Sequence, residues 1–374
     1  MIPILDLKRQ YKQIGKEIEK EVTNVLRSGC YILGPHNKSL SEKLADYVGV
    51  SHAVTLNSGT DALHLALRAL DIGPGDEVIT TAFTFVATTE AIGIVGAKPV
   101  FVDIDKDTFN IDAEKIENAI TPKTKAIIPV HLYGQPADMN VITDIAKKHD
   151  LFVIEDCCQA IGAALDNQMV GSFGDVGCFS FFPTKNLGAM GDGGLLTTNS
   201  TLIKDRVIAL RNHGGAVRYY HDEIGVNSRL DEIQAAILRV KAKYIDEWNK
   251  KRRENAYRYN ELFANYPDIQ TPKEMDNTYC VYHQYTVKIP NRDEVHKILQ
   301  DKGIGAMLYY PVPLHLQKVH AYLDVGEGSL PFTEENTKCV ISLPMFPELT
   351  KEEQKEVADT LIMAIEKTKN KVSA

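Results

Sequence analysis

With 374 residues, 44% of them hydrophobic and 25% charged, the chain has the makeup of an ordinary globular protein, long enough to bury a sizeable core in a large domain with a smaller one attached. A net charge of −8 opposes nucleic-acid binding, which draws on a basic face. The six cysteines, Cys157 and Cys158 adjacent, form neither a disulfide framework nor a metal-binding C-x-x-C pattern, so a cytoplasmic location is expected; the N-terminus becomes charged too early for a signal peptide, and no apolar run nears the roughly 20 residues of a membrane span.

Apolar residues at helical spacing predict a helix over residues 16–28. Seven short β-rich runs follow: AVTL (53–56), EVIT (77–80), PVFVDI (99–104), KAIIPV (125–130), LFVIED (151–156), VGCFSF (176–181) and GLLTT (194–198). Helical patterns separate many of them, such as DALHLALRAL (61–70) and MNVITDIAKKH (139–149). Several runs are apolar without alternation, as strands covered on both faces are. The strand–helix–strand order predicts an α/β fold with a mostly parallel seven-stranded sheet sandwiched by helices. One long helix is expected from about Arg229 to Asn265, and the proline-containing YPDIQTPKEMDN (266–277) supports a boundary nearby. The division expected is a large domain over residues 1–245 and a smaller α+β domain over residues 246–374, with the N-terminal segment free to pack on the smaller one.

Ligands of open parallel sheets bind beyond the carboxyl ends of the strands, which points to three places. After AVTL, NSGTDAL puts Ser58, Gly59 and Thr60 at a helix start, where free N–H groups and the helix dipole suit a phosphate. Plain N-capping is the commoner use of such residues. LFVIED ends in Glu155 and Asp156, and a carboxylate closing an apolar strand needs a partner: a salt bridge, solvent, or a protonated heteroaromatic nitrogen. CFSFFPTKNLGAMGDGG (178–194) carries Ser180 and then Lys185 between an aromatic run and a glycine-rich loop. A lysine in such a place is either an ordinary loop residue or a nucleophilic amine. Together, a phosphate cradle, a strand-end Asp and a downstream Lys are the parts that hold pyridoxal phosphate.

Metal chemistry finds no support. His131, His213, His221, His283, His315 and His320 make no H-x-x-x-H pattern, and His131 is expected in the core or as a hydrogen-bonded pocket residue. GPG at 73–75 precedes a strand, so it is no dinucleotide fingerprint.

At these residues the chain resembles the DegT/DnrJ/EryC1/StrS sugar aminotransferases, fold-type-I pyridoxal phosphate enzymes. The blocks are NSGTDAL, TAFTFVAT, PVHLYGQPADM, EDCCQAIGA, FSFFPTKNLGAMGDGG, RNHG and GVNSRLDEIQAAIL, in the family's order over nearly the whole length. The resemblance implies that Lys185 joins the cofactor as a Schiff base and moves protons, that Asp156 pairs with the ring nitrogen, and that Gln159 lies near the ring oxygen. It implies further that Gly59, Thr60 and Ser180 hold the phosphate, that Phe83, with Phe85 as the alternative, stacks on the ring, and that Asn227 reaches the cofactor of a second subunit in a homodimer. YYPVPLHLQ (309–317) and YYH (219–221) are most similar to enzymes that aminate a dTDP-linked 3-keto-6-deoxyhexose, placing Tyr31, Tyr219, Tyr309 and Tyr310 against the substrate. The product implied is a 3-amino-3,6-dideoxyhexose for a surface polysaccharide or glycoside, with glutamate as donor. Two positions depart from many relatives: Phe182 where they carry Tyr, and Tyr309 where they carry His. Arg211, Arg218 and Arg229 are candidates for the donor carboxylate, none assigned. The alternatives are 4-amination of a 4-keto sugar and, from another class, a regulator that binds pyridoxal phosphate without turnover.

Overall fold

The computed structural model describes residues 1–217 and 219–372. Its central sheet has seven strands: β1 (His52–Leu56), β2 (Glu77–Thr81), β3 (Lys98–Val102), β4 (Thr124–Ile127), β5 (Phe152–Asp156), β6 (Val176–Ser180) and β7 (Gly194–Thr198). Their spatial order is β1-β7-β6-β5-β4-β2-β3. Five strands run parallel, while β7 is antiparallel to both β6 and β1. Two reversals restore direction, so β1 ends at the same edge of the sheet as β5 and β6.

The apolar runs form strands because both their faces are covered. Along β6, Cys178 packs into a core with Leu63, Ile154 and Leu196, while its neighbour Phe179 packs into another with Leu40, Leu44 and Leu238. The same alternation splits Leu195 from Leu196 on β7 and Val153 from Ile154 on β5. Helix Gly59–Ala69, capped by the Ser58 hydroxyl accepting from Asp61 N at 3.1 Å, lies on the first of these faces and starts just beyond the end of β1.

A second core gathers Tyr259, Phe263, Tyr285, Val295, Leu343, Phe346 and Leu361 around the antiparallel pair Tyr285–Lys288 and Val340–Leu343. The N-terminal segment joins it: Ile2 is buried there, Gly305 N donates to Ile2 O at 2.7 Å, and Met345 N donates to Ile4 O at 3.1 Å. Helix Leu7–Ser28 is longer than expected and packs Ile14 and Ile18 on Ile237, Val240 and Trp248.

The long helix expected from Arg229 is two helices, Glu232–Lys241 and Ile245–Phe263. No glycine or proline marks the break. Tight turns close it, Lys243 N to Val240 O and Tyr244 N to Lys241 O. The Tyr244 ring stacks on Trp248 at 5.8 Å and its hydroxyl reaches Glu17 at 3.1 Å, so tertiary contacts override local helical preference. Among the described residues, no helix is long and apolar enough to cross a membrane.

Candidate active site

The ends of β1, β5 and β6 meet at one point, and Gly59 is the reason they can. A Cβ on Gly59 would lie 2.8 Å from both Cys158 Sγ and Ser180 Cβ. The start of helix Gly59–Ala69 is therefore pressed directly on the residues that end β6 and follow β5. Thr60 lies half-buried in the helix's first turn, and Ser180, whose hydroxyl accepts from Phe182 N at 3.3 Å, is the last residue of β6. These are free backbone N–H groups and hydroxyls of the kind that can hold a phosphate.

Asp156 closes β5 and is 5% exposed. Its Oδ2 accepts from Thr88 Oγ1 at 2.8 Å and its Oδ1 from Cys158 N at 3.2 Å. A carboxylate offers about four acceptor positions, so capacity remains for a further donor such as a pyridinium N–H. Gln159 is buried, its Oε1 accepting from Tyr133 N at 2.8 Å and its Nε2 donating to the Tyr310 hydroxyl at 3.2 Å. The Tyr133 hydroxyl in turn donates to Tyr309 O. Both tyrosines of the 309–310 pair are thereby tied to the end of β5.

Lys185 sits in a loop pinned from several sides. Its N–H donates to Phe182 O at 2.8 Å. Asn186 donates to Asn249 Oδ1 at 2.8 Å and to Val281 O at 3.2 Å, and meets His283 Nδ1 at 3.0 Å. Gly188 O accepts from the buried Lys241 ammonium at 2.6 Å. A side chain at Gly188 would lie 2.4 Å from Pro183 O, so the turn after Lys185 closes only with glycine. Burial pushes the Lys185 amine below the usual lysine range, with Cys158 and Asp156 opposing the shift. A neutral amine is the nucleophilic form.

The aromatic residues depart from expectation. Phe83 is 0% exposed, its ring stacked on Phe109 at 5.9 Å in a core with Ile104 and Val130. It offers no face to a ligand, because the chain leaving β2 turns it into that core. Phe85 is 56% exposed and its ring lies 6.3 Å from that of Tyr310. Phe85, not Phe83, presents an exposed ring, next to the Tyr310 that Gln159 hydrogen-bonds.

Tyr31, Tyr219 and Asn227 stand on the surface of the chain. Tyr309 is half-buried and lines a cavity of about 50 Å³ with Thr184, His283 and Gln284. Arg211 is used at β1, donating to Thr55 O at 2.7 Å; burial and the nearby Arg229 push it down to about 10. Arg229 is half-buried, and Arg218 lies outside the described residues.

His131, Glu155 and Cys157 form a buried cluster of metal-ligand type. Its acceptors are already engaged. His131 Nδ1 accepts from Ala137 N at 3.0 Å, so its Nε2 carries the proton and donates to Glu155 at 3.1 Å. Burial raises the Cys157 thiol well above its usual range. The cluster is a structural knot behind β5.

Sequence reasoning passed over Thr84 and Thr88, which line the approach to Asp156. TAFTFVATT is dense in hydroxyls, and that density was the only signal available.

The family model described as DegT/DnrJ/EryC1/StrS aminotransferase family matches residues 12–362. A "pleiotropic regulatory protein" of Geobacillus stearothermophilus is 51% identical over 96% of this chain and 97% of its own length. The UDP-N-acetyl-3-dehydro-alpha-D-glucosamine 3-aminotransferase of Acidithiobacillus ferrooxidans is 48% identical over 96% and 97%. Further relatives at 42% and 45% identity are named as dTDP-3-amino-sugar transaminases. Among solved structures, Streptomyces venezuelae DesV in complex with a ketimine intermediate superposes with a TM-score of 0.95 at 42% identity, covering 97% of this chain and 98% of that one. Other solved neighbours hold pyridoxal or pyridoxamine phosphate. The chain belongs to the DegT/DnrJ/EryC1/StrS aminotransferase family and is a pyridoxal phosphate-dependent aminotransferase.

Proposed function

We propose that the protein transfers an amino group from glutamate to C3 of a nucleotide-linked keto sugar, with a dTDP-linked 3-keto-6-deoxyhexose as substrate and a 3-amino-3,6-dideoxyhexose as product. The observation that carries the reading is the convergence of the helix start at Gly59, the Asp156 carboxylate and the Lys185 amine at one sheet edge. Relatives that act on 3-keto or 3-amino nucleotide sugars support the choice of C3.

When bound, pyridoxal phosphate supplies an electron sink. The chain's own residues do the rest. Gly59 N–H, Thr60 and Ser180 hold the phosphate. Asp156 would pair with the ring nitrogen and hold its proton there. Gln159 would meet the ring oxygen, and Phe85 would take the stacking role expected of Phe83. Lys185 Nζ would hold the cofactor and, when free, would serve as the base and acid that moves the proton of the donor's α-carbon. The same amine works in the opposite sense when the keto sugar enters. Tyr309 and Tyr310, set beside Phe85 and Gln159, meet the sugar.

The chain works as a cytoplasmic homodimer in this reading, with Asn227, Tyr31 and Tyr219 completing the site across the interface. Exposed apolar side chains support it: Val217, Tyr219, Tyr220 and Ile224 lie close in sequence to Asn227, and Tyr31, Ile32 and Phe182 are exposed as well.

The test is a panel of dTDP- and UDP-linked 3-keto and 4-keto sugars, offered with glutamate and analysed by mass and NMR. A 3-amino product from the dTDP-linked 3-keto sugar is expected. Reaction of 4-keto sugars alone would overturn the C3 assignment, and a preference for UDP-linked substrates would overturn the nucleotide.

A further inference from the structure

The segment from Thr84 to Thr88, which leaves the loop after β2 and enters the first turn of helix Ala87–Ile94, carries two buried hydroxyls that the mechanism above does not use. Thr88 Oγ1 lies 2.8 Å from Asp156 Oδ2, and Thr84 Oγ1 lies 3.2 Å from Thr88 Oγ1. Both threonines are buried, as is Asp156. The hydrogen-bond order follows from the chemistry. An ionised carboxylate only accepts, so Thr88 spends its one proton on Asp156. The Thr88 oxygen is then the acceptor for Thr84, whose proton points the same way. The two hydroxyls form a directed chain that ends on the carboxylate.

Resting on the reading that Asp156 meets the ring nitrogen, we propose that Thr84 and Thr88 form a hydroxyl relay that positions the Asp156 carboxylate and favours its charged form, so that the shared proton stays on the cofactor's ring. Thr88 and Thr84 are positioning residues, since they act through Asp156. A carboxylate in a low-dielectric site is costly to keep charged without donors. The backbone N–H of Cys158 is one donor, at a long 3.2 Å. Thr88 supplies the shorter contact, and Thr84 polarises it further, because successive hydrogen bonds in a chain reinforce one another. With the relay gone, the proton shared by carboxylate and ring nitrogen shifts toward the carboxylate, and the ring becomes a weaker electron sink. The same turn displays Phe85 between the two threonines in sequence, so one short segment sets both the ring's stacking partner and the ring's protonation.

The test uses holoenzyme loaded with cofactor labelled with ¹⁵N in the ring, and the variants Thr88→Val, Thr88→Ser and Thr84→Val. Two quantities are read: the ¹⁵N chemical shift, which separates protonated from neutral ring nitrogen, and the rate of the half-reaction with glutamate. Thr88→Val keeps the side chain's shape and removes the hydroxyl. It is expected to move the ring signal toward the neutral form and to slow the half-reaction roughly tenfold or more, the weight of a hydrogen bond to a charged group. Thr88→Ser restores the hydroxyl and should return most of both. Thr84→Val should act in the same direction by about threefold. A ring nitrogen as protonated in Thr88→Val as in the unaltered protein, or a Thr88→Ser enzyme no better than Thr88→Val, overturns the relay. Borohydride trapping on the unaltered protein separates the two levels. If no labelled cofactor is held at Lys185, the cofactor reading itself fails. If the label is held there and Thr88→Val changes nothing, only the relay fails.

Discussion

Glu155 and Asp156 are neighbours on β5, both buried and both carboxylates, yet they point to opposite faces of the strand and meet opposite fates. Glu155 Oε1 accepts from Phe173 N at 2.8 Å and Gly174 N at 2.9 Å, and its Oε2 accepts from Gly171 N at 2.8 Å and His131 Nε2 at 3.1 Å. Four donors fill its four acceptor positions. Asp156 accepts from Thr88 Oγ1 and Cys158 N, with the Cys158 thiol also against it, at the edge where the strands end. One carboxylate locks the loop at 171–174 onto the sheet, and the other keeps capacity in reserve. Spare acceptor capacity on a buried carboxylate leaves room for a further donor, room that Glu155 does not have.

The comparison can be broken most sharply by removing each charge in turn. Asp156→Asn should leave melting behaviour nearly intact and lower transamination on the order of a thousandfold, as loss of a main electrostatic contact does. Glu155→Gln should do the reverse. Its amide would meet N–H donors head-on, at a cost of about 3 kcal/mol in folding free energy, read by denaturant unfolding, while the folded fraction keeps its turnover. If Asp156→Asn unfolds the protein, or Glu155→Gln is silent in stability, the distinction fails.

The two phenylalanines sharpen the same contrast. Phe83→Ala empties a packed core site and should destabilise by about 3–5 kcal/mol. Phe85→Ala removes an exposed ring; it should leave stability unchanged and weaken cofactor retention about tenfold, measured by dialysis and absorbance. A last contrast is read from pH at Lys241. It is 2% exposed, and burial lowers it from the ordinary 10.5 to about 8. Between those values the unfolded chain binds more protons than the folded one, so stability should rise as pH goes from 8 to 10.5 and fall back as pH returns through 8. Lys241→Met should flatten that part of the stability curve.

Much of this was legible in the chain. All seven apolar runs are strands, because runs buried on both faces carry a strong signal. The blocks around Lys185 and Asp156 point to the sheet edge where β1, β5 and β6 end. What stayed hidden depends on contacts distant in sequence. The reversal of β7 is set by its pairing with both β1 and β6. The break at 242–244 follows from Tyr244 meeting Trp248 and Glu17. Phe83 and Phe85 lie in an irregular stretch, where alternation assigns no face, and only Phe109 decides between them. Thr88 and Asp156 are 68 residues apart, beyond the reach of any local pattern. The strand end also hid the difference between Glu155 and Asp156, since the donors that fill Glu155 come from residues 131 and 171–174.

The central claim is that the Lys185 amine carries the cofactor within reach of Asp156. The direct measurement is reduction of the holoprotein with borohydride, digestion, and mass mapping of the labelled peptide. The account predicts one pyridoxyl group per chain, on Lys185. A label on another lysine, or no label after reconstitution with pyridoxal phosphate, would contradict it.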